Sequence, residues 1–289
     1  MIPAGRQFYK MSGSGNDFVM FDARSEPAGE LERAEAIQAM AARGTGVGAD
    51  GVVFLEPSDV ADLRIRYFNA DGSLASLCGN ATLCSARLAT ELGMVDPAGF
   101  GIETGTGVLP ARIKDGRPEI DLAPVTGVSV DGPIEPVGGE RRTGYLMVGV
   151  PHVSILVANV DAVDVTGRGR PIRHDPRLPH GANANFVAAD GDGRWRIRTY
   201  ERGVEAETLA CGTGAVATAI LLTEWGEASG PVELVTRSGR SLRVRLRRDE
   251  DGAWHPSLSG HADVVFRGEL AEVPGGVGPG RETAAAVAP

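Results

Sequence analysis

Two cysteines stand in matching contexts in the two halves of the chain. Arg64 to Gly93, RIRYFNADGSLASLCGNATLCSARLATELG, recurs from Arg196 to Gly226 as RIRTYERGVEAETLACGTGAVATAILLTEWG, and Cys78-Gly79 falls on Cys211-Gly212. Each thiol directly precedes a run that reads as a helix. There it faces the positive end of the helix dipole and unpaired backbone N–H groups, which should draw its pKa from about 8.5 toward neutrality. The glycine behind it removes the side chain that would block close approach, so the same N–H groups can hold a carboxylate. An amino acid held between two such helix ends has its α-carbon between two sulfurs. One, as thiolate, can remove the α-proton from one face while the other, as thiol, protonates the opposite face. That is racemisation or epimerisation by two bases, with no cofactor and no metal required.

Other readings compete. A lone cysteine is more often core packing, and Cys84, inside the first helix on its apolar stripe, keeps that reading. Zinc held by Cys78, Cys84 and Cys211 with His174 or His180 lacks any C-x-x-C spacing, so no metal is expected. A thiol redox or binding protein without catalysis at carbon would instead need a Cys78–Cys211 disulfide in normal operation.

Polar residues gather near both thiols. His152 lies in a loop before a second-half strand, at a place that duplication relates to the Asp17 region; such a histidine is ordinarily just solvated. Glu201 ends the strand leading to Cys211, where the first half has Asn69, and could accept a thiol proton or be a surface carboxylate. Arg202 beside it could pair with a carboxylate through two parallel hydrogen bonds. Asn16, Asn69, Asn80 and Asn183 occupy glycine-rich or turn contexts, which asparagine favours for its own backbone reasons.

The elements that must position these groups repeat as well. GSGNDFVMFD from Gly13 aligns loosely with GVPHVSILV from Gly149. Gly48-Ala49-Asp50 aligns with Gly181-Ala182-Asn183, and IETGTGVLPARI from Ile102 with LVTRSGRSLRVRL from Leu234, all at an offset of about 132 (Ile102 to Leu234) to 136 (Gly13 to Gly149) residues. Short β-branched runs bounded by Gly, Pro, Asn and Asp predict strands at 18–21, 52–55, 63–68 and 108–113, with counterparts at 153–157, 195–200, 232–235 and 242–246. Helices follow each Cys-Gly; the second is apolar nearly all round and so must be enclosed. A further amphipathic helix is expected over 30–42. The fold class expected is α+β: two pseudo-symmetric lobes from internal duplication, each a β-barrel-like sheet wrapped around a central helix. Residues 1–122 form the first lobe and 123–260 the second. The tail 274–289 is expected to be disordered, and Arg243 to Arg248 to be a solvated strand face.

With 289 residues, 42% of them hydrophobic, the chain can bury a core of two lobes. A net charge of -9 argues against nucleic acid, whose binding rests on clustered Lys and Arg. No run of 18 apolar residues and no apolar core of a secretory signal occurs, so no membrane partner is expected and the cytoplasm is the expected location. Three cysteines, an odd number, fit reduced thiols. The partner expected is a small-molecule amino-acid substrate; a homodimer is left open.

KMSGSGNDFV, GVGADG, FNADGS, LCGN, GANANF and YERGVEAETLACGTGA, in this order from about Lys10 to Arg267, resemble the diaminopimelate epimerase family. The resemblance implies interconversion of LL- and meso-diaminopimelate, on the route to lysine and cell wall, at a site in the cleft between lobes. It implies Cys78 and Cys211 as catalytic residues, His152 as partner of the first and Glu201 of the second. Asn16, Asn69, Asn183 and Arg202 would bind substrate mainly at its distal end, while Gly79, Asn80, Gly212 and Thr213 would hold the α-carboxylate through backbone donors. A last strand, near 261–267 (261–270 at most), would return to complete the first lobe. Two departures stand out: Val150 replaces the usual asparagine of GNPH, and Ala81 and Leu83 replace the glycine and arginine of CGNGxRC, with Leu83 expected to repack a surface. Val150 motivates the alternative of a racemase or epimerase for another amino acid.

Overall fold

The computed structural model describes residues 5–271; the expected disorder of 274–289 lies outside them. Seventeen strands form one continuous sheet. The first-half strands are β1 (Gln7–Gly13), β2 (Asn16–Asp22), β3 (Gly51–Glu56), β4 (Leu63–Asn69), β5 (Leu74–Ala75), β6 (Phe100–Thr104), β7 (Gly107–Lys114) and β8 (Arg117–Asp121). Those of the second half are β9 (Glu140–Val148), β10 (Val150–Val157), β11 (Asn183–Ala189), β12 (Trp195–Glu201), β13 (Ala206–Thr208), β14 (Val232–Val235), β15 (Ser241–Arg248) and β16 (Trp254–Gly260), followed by β17 (Ala262–Glu269).

Their hydrogen-bonded order runs β17-β1-β2-β3-β4-β6-β7-β8 and continues through β16-β15-β14-β12-β11-β10-β9. Read outward from the β8·β16 seam, the two halves have one topology, parallel at β2·β3 and β4·β6 and again at β10·β11 and β12·β14. Parallel neighbours need a crossover, and helices supply all four. Helices α2 (Gly79–Glu91) and α4 (Gly212–Glu224) run on the inner face; α1 (Ala34–Ala41) and α3 (Val165–Arg173) cover the outer face.

The burial patterns give the reason. In β15 and the start of β4, buried and more exposed residues alternate, as on a strand with one wet face. In β10, with a helix on each side, seven of eight residues are buried. Helix α4 is fully enclosed from Gly214 to Leu222, which accounts for its all-round apolar composition.

Several sequence expectations need correction. The helix expected over 30–42 is a 3-10 turn, Gly29–Glu32, followed by α1, because Arg33 between them is extended (φ -65, ψ 143). Helix α3 was not expected; Gly167, Gly169 and Pro171 obscure its signal, yet it holds the place in the second half that α1 holds in the first. Leu83 is fully buried against the core, within reach of Gly260, so it repacks the interior and not a surface. The 243–248 stretch is no bare solvated face: Arg245 donates to the fully buried Glu119 of β8 at 3.0 Å and to Asp115 at 3.0 Å. Arg112 reaches Glu119 from the other side at 2.9 Å.

The last strand returns as expected, pairing antiparallel with β1 from Gln7↔Glu269 to Gly13↔Ala262. The second half mirrors this. The segment after β8 bridges to β16 at Val125↔Trp254 and to β9 at Ser129↔Tyr145. Each half therefore sends the chain that follows its final strand across the seam to the other half.

Candidate active site

Cys78 and Cys211 occupy the N-caps of α2 and α4 with nearly the same extended backbone, φ -136, ψ 114 and φ -132, ψ 111. Their carbonyls accept the first helical hydrogen bonds, from Thr82 N (2.9 Å) and Ala215 N (3.0 Å), while neither side chain caps its helix. First-turn N–H groups are thus left for a ligand. The two helix starts meet head to head: a Cβ on Gly79 would stand 3.8 Å from the Gly212 Cα, and one on Gly212 3.7 Å from the Gly79 Cα, both packed on Leu258. A side chain at either glycine would press on Leu258 Cδ2, at 3.1 Å from position 79 and 3.0 Å from position 212, and stand over the first-turn N–H groups.

A cavity of about 830 Å³ opens over this junction. Its wall includes Cys78, Gly79 and Asn80 from one half and Cys211, Gly212 and Thr213 from the other. Asn16, Asn69, Glu201 and Arg202 belong to the same wall. Ten of the twelve residues singled out from the sequence therefore face one space. The other two do not. His152 is fully buried within β10, not in a solvated loop, and Asn183 is buried at the start of β11.

Pairing explains where His152 sits. His152 pairs with Asn183 as Phe18 pairs with Gly51, and Ala184 pairs with Tyr200 as Val52 with Phe68. The match of Gly48-Ala49-Asp50 to Gly181-Ala182-Asn183 is thus one residue out of register, and Phe18, one residue on from Asp17, is the counterpart of His152. The same register places Asn69 opposite Glu201, as expected. His152 Nδ1 lies 3.5 Å from Asn183 Nδ2 and 3.3 Å from Asn185 Nδ2. Both neighbours donate, so Nδ1 accepts and the proton resides on Nε2, which is buried without a protein partner. Burial, with Arg202 nearby, pushes the His152 pKa down to about 3, and the ring is neutral.

Asn183 works in two directions. Its Oδ1 accepts the Arg202 N–H at 2.7 Å, while the Arg202 guanidinium donates to His180 O at 3.0 Å. Val150, at the β9–β10 hairpin, does not belong to the cavity wall.

The thiols contradict the expectation of lowered pKa values. Burial pushes Cys78 up to about 11, against the pull of the Ala81 and Asn80 N–H groups, and the negative charge of Glu201 adds to the rise. Burial and Glu201 lift Cys211 further, although the Thr213 hydroxyl, 3.6 Å from its sulfur, and the Gly214 N–H oppose this. Desolvation outweighs the helix end in the empty cavity. Glu201 itself is raised, mainly by burial, with Asp50 adding to it and Thr208 opposing. Both thiols are consequently protonated at neutral pH. The alkylation rate of Cys78 by iodoacetamide should climb about tenfold per pH unit from 7 to 9.5 with no plateau; a plateau near pH 8 would show an ordinary or depressed thiol. Cys84, fully buried in the core, should not react.

Four residues of the site escaped the sequence reading. Asn185 sits against the start of α4: a side chain on Gly214 would collide with its Oδ1 and lie 3.2 Å from Cys211 Sγ. Tyr67 lines the cavity, its ring lying over Gly51 where a side chain would collide with it and edge-on to Phe18 (5.8 Å). Asp50 and Arg43 complete the wall, joined at 2.8 Å. Asn185 was legible in principle, since GANANF sets Asn183 and Asn185 on one strand face. Among the described residues no group of three or more His, Cys, Asp or Glu side chains is placed to hold a metal ion.

The family model described as diaminopimelate epimerase matches residues 8–127 and 144–254. A diaminopimelate epimerase of Gemmatimonas aurantiaca is 48% identical over 275 residues, 91% of this chain and 99% of its own length. One of Archaeoglobus fulgidus is 39% identical over 276 residues, 91% and 95% of the two chains. In fold, the chain is similar to a phenazine biosynthesis protein of the PhzF family from Bacillus anthracis (TM-score 0.72, 18% identity, 93% of this chain and 100% of that one). It is also similar to a probable proline racemase from Agrobacterium radiobacter (TM-score 0.67, 18% identity, 93% and 94%). With two matched thiols at converging helix ends and this likeness over nine-tenths of its length, the chain belongs to the diaminopimelate epimerase family.

Proposed function

We propose that the protein interconverts LL- and meso-2,6-diaminopimelate by proton transfer at one α-carbon, with Cys78 and Cys211 as the acid and base. The head-to-head meeting of the two Cys-Gly helix starts in one cavity is the observation that carries this reading. The α-carboxylate is held by the N–H groups of Gly79, Asn80, Gly212 and Thr213, so the α-carbon lies between the sulfurs. One sulfur takes the proton as a thiolate and the opposite thiol donates its own to the carbanion, which leaves the pair with its protonation swapped; proton exchange with solvent restores the starting form for another turnover in the same direction. Asn16, Asn69 and Arg202 serve the distal end, and Asn183, buried outside the cavity, acts through Arg202 by accepting its backbone N–H. Glu201 takes up a thiol proton, and the neutral His152 fixes the wall beneath. Glu201 and Asp50 give the cavity wall acceptors for the substrate's ammonium groups.

The first domain comprises residues 1–122 with the returning strand, the second 123–260. The reaction belongs to the cytoplasm, where the three free cysteines stay reduced, and the net negative charge disfavours nucleic acid. For a homodimer, exposed Val265 and Phe266 on the edge strand β17 are the surface at hand.

Incubation with LL-diaminopimelate in deuterium oxide tests the reaction. The expected result is meso product carrying deuterium at the inverted α-carbon. Reduced, folded protein that incorporates none sinks the proposal, and turnover of another amino acid in its place would favour the broader racemase reading raised by Val150.

A further inference from the structure

A single carboxylate fixes the orientation of two amides in a row beside Cys78. Asp50 receives three groups: Arg43 Nη2 at 2.8 Å, Asn16 Nδ2 at 2.9 Å and the Asp17 N–H at 3.2 Å. An ionised carboxylate only accepts hydrogen bonds. Asn16 must therefore turn its NH2 toward Asp50, which leaves its Oδ1 facing the next residue. That oxygen accepts from Asn80 Nδ2 at 2.6 Å. Asn80 in turn has spent its NH2 on Asn16, so its own Oδ1 faces away from the chain of amides. The logic runs from the charge of Asp50 outward and does not depend on which amide atom was drawn as oxygen.

The far end of this relay is an unmet acceptor. Asn80 is 2% exposed, and its Oδ1 is buried without a protein partner. It lies about 4.0 Å from the point where a side chain on Gly212 would begin, at the junction of the two helix starts. The helix N–H groups there suit a carboxylate but offer nothing to an ammonium, which needs an acceptor within reach of the same α-carbon. Asn80 belongs to the cavity wall, and its Oδ1 is the acceptor the relay presents beside Gly212.

We infer that Asn80 Oδ1 is the binding site for the substrate's α-ammonium group at the reacting centre, and that Asp50 is the positioning residue that holds this oxygen, rather than the NH2, toward the substrate. The inference rests on the proposed epimerase reading. A buried donor presented in place of the acceptor would repel the ammonium and leave two donors face to face. The relay thereby requires the α-amino group as part of what the site recognises, separately from the carboxylate.

Asp50→Asn and Asn80→Ala test this together: an amide at position 50 no longer obliges Asn16 and Asn80 to keep their orientation, and alanine at position 80 removes the oxygen itself while keeping the backbone N–H. Wild type and both variants are compared for LL-diaminopimelate, which carries the ammonium, and for pimelate as a competitive inhibitor, which has both carboxylates and no amino group. The expected result is a KM for LL-diaminopimelate raised about tenfold to a hundredfold, the worth of one hydrogen bond to a charged group. The pimelate Ki should stay within about twofold, the size of change that a lost hydrogen bond would exceed. An equal loss for both ligands would make Asp50 merely structural, and no loss for either would show that Asn80 does not meet the ammonium; both outcomes overturn the inference. Melting curves of wild type and variants exclude misfolding as the source of the difference. Deuterium exchange by the wild type separately reports on the reaction: if that fails while pimelate binds wild type and variants alike, the epimerase reading falls and the relay is left without its substrate.

Discussion

Cys78→Ser and Cys211→Ser should each lower kcat by about a hundredfold to ten-thousandfold, the contribution typical of one positioned acid or base. The two losses should be similar in size although the surroundings differ, because each turnover uses both sulfurs. A hydroxyl is much the weaker acid and cannot form the anion at accessible pH, so the residue serving as base in a given direction is lost outright. The measurement is LL-to-meso conversion together with deuterium uptake from solvent. A near wild-type rate in either variant would show that the matched thiols are not the proton-transfer pair. A redox or binding protein, by contrast, would show no catalysis for these substitutions to remove.

Gly212→Ala carries the second large effect, and here stability and activity should part company. Alanine at the first position of α4 favours the helix by up to about 1 kcal/mol relative to glycine. The new methyl group, however, would stand 3.0 Å from Leu258 Cδ2 and 3.7 Å from Gly79 Cα. It occupies the space through which the α-carboxylate reaches the N–H groups. The expected outcome is a melting temperature within a few degrees of wild type and a kcat/KM reduced about a hundredfold, corresponding to two or so charge-assisted hydrogen bonds lost. Activity within a few-fold of wild type would mean that the carboxylate is held elsewhere. A Gly79→Ala variant should behave alike, since its methyl group would meet the same leucine at 3.1 Å.

Much of this site was legible before any coordinates, and the reason is duplication. Cys78 and Cys211 carry their context with them, so two occurrences of Cys-Gly before a helix testify to each other. Glu201 against Asn69 followed from the same repeat. What stayed hidden depends on distance along the chain and on surroundings. Asp50 and Arg43 reach the cavity through strand pairing and side-chain length, which no local pattern encodes. His152 looks like a loop residue because Pro151 precedes it, yet β9 and β11 flank it and burial removes it from solvent. The thiol pKa values were misjudged because a sequence displays the helix end but not the desolvation that outweighs it. Helix α3 eluded detection because two glycines and a proline speak against a helix, while packing of Val165 and Ile172 under the sheet overrides them.

The pairing of Gln7 with Glu269 sets a condition on how the protein is made. Strand β1 leaves the ribosome before every other strand of this sheet, and its outer neighbour after all of them. The first half must wait with an unsatisfied edge while the rest of the chain emerges. Contacts so distant along the sequence form late and slowly, and an open strand edge invites pairing with other chains in the meantime. Shortening the chain before Ala262 should therefore damage the half that is made first and lower its soluble yield.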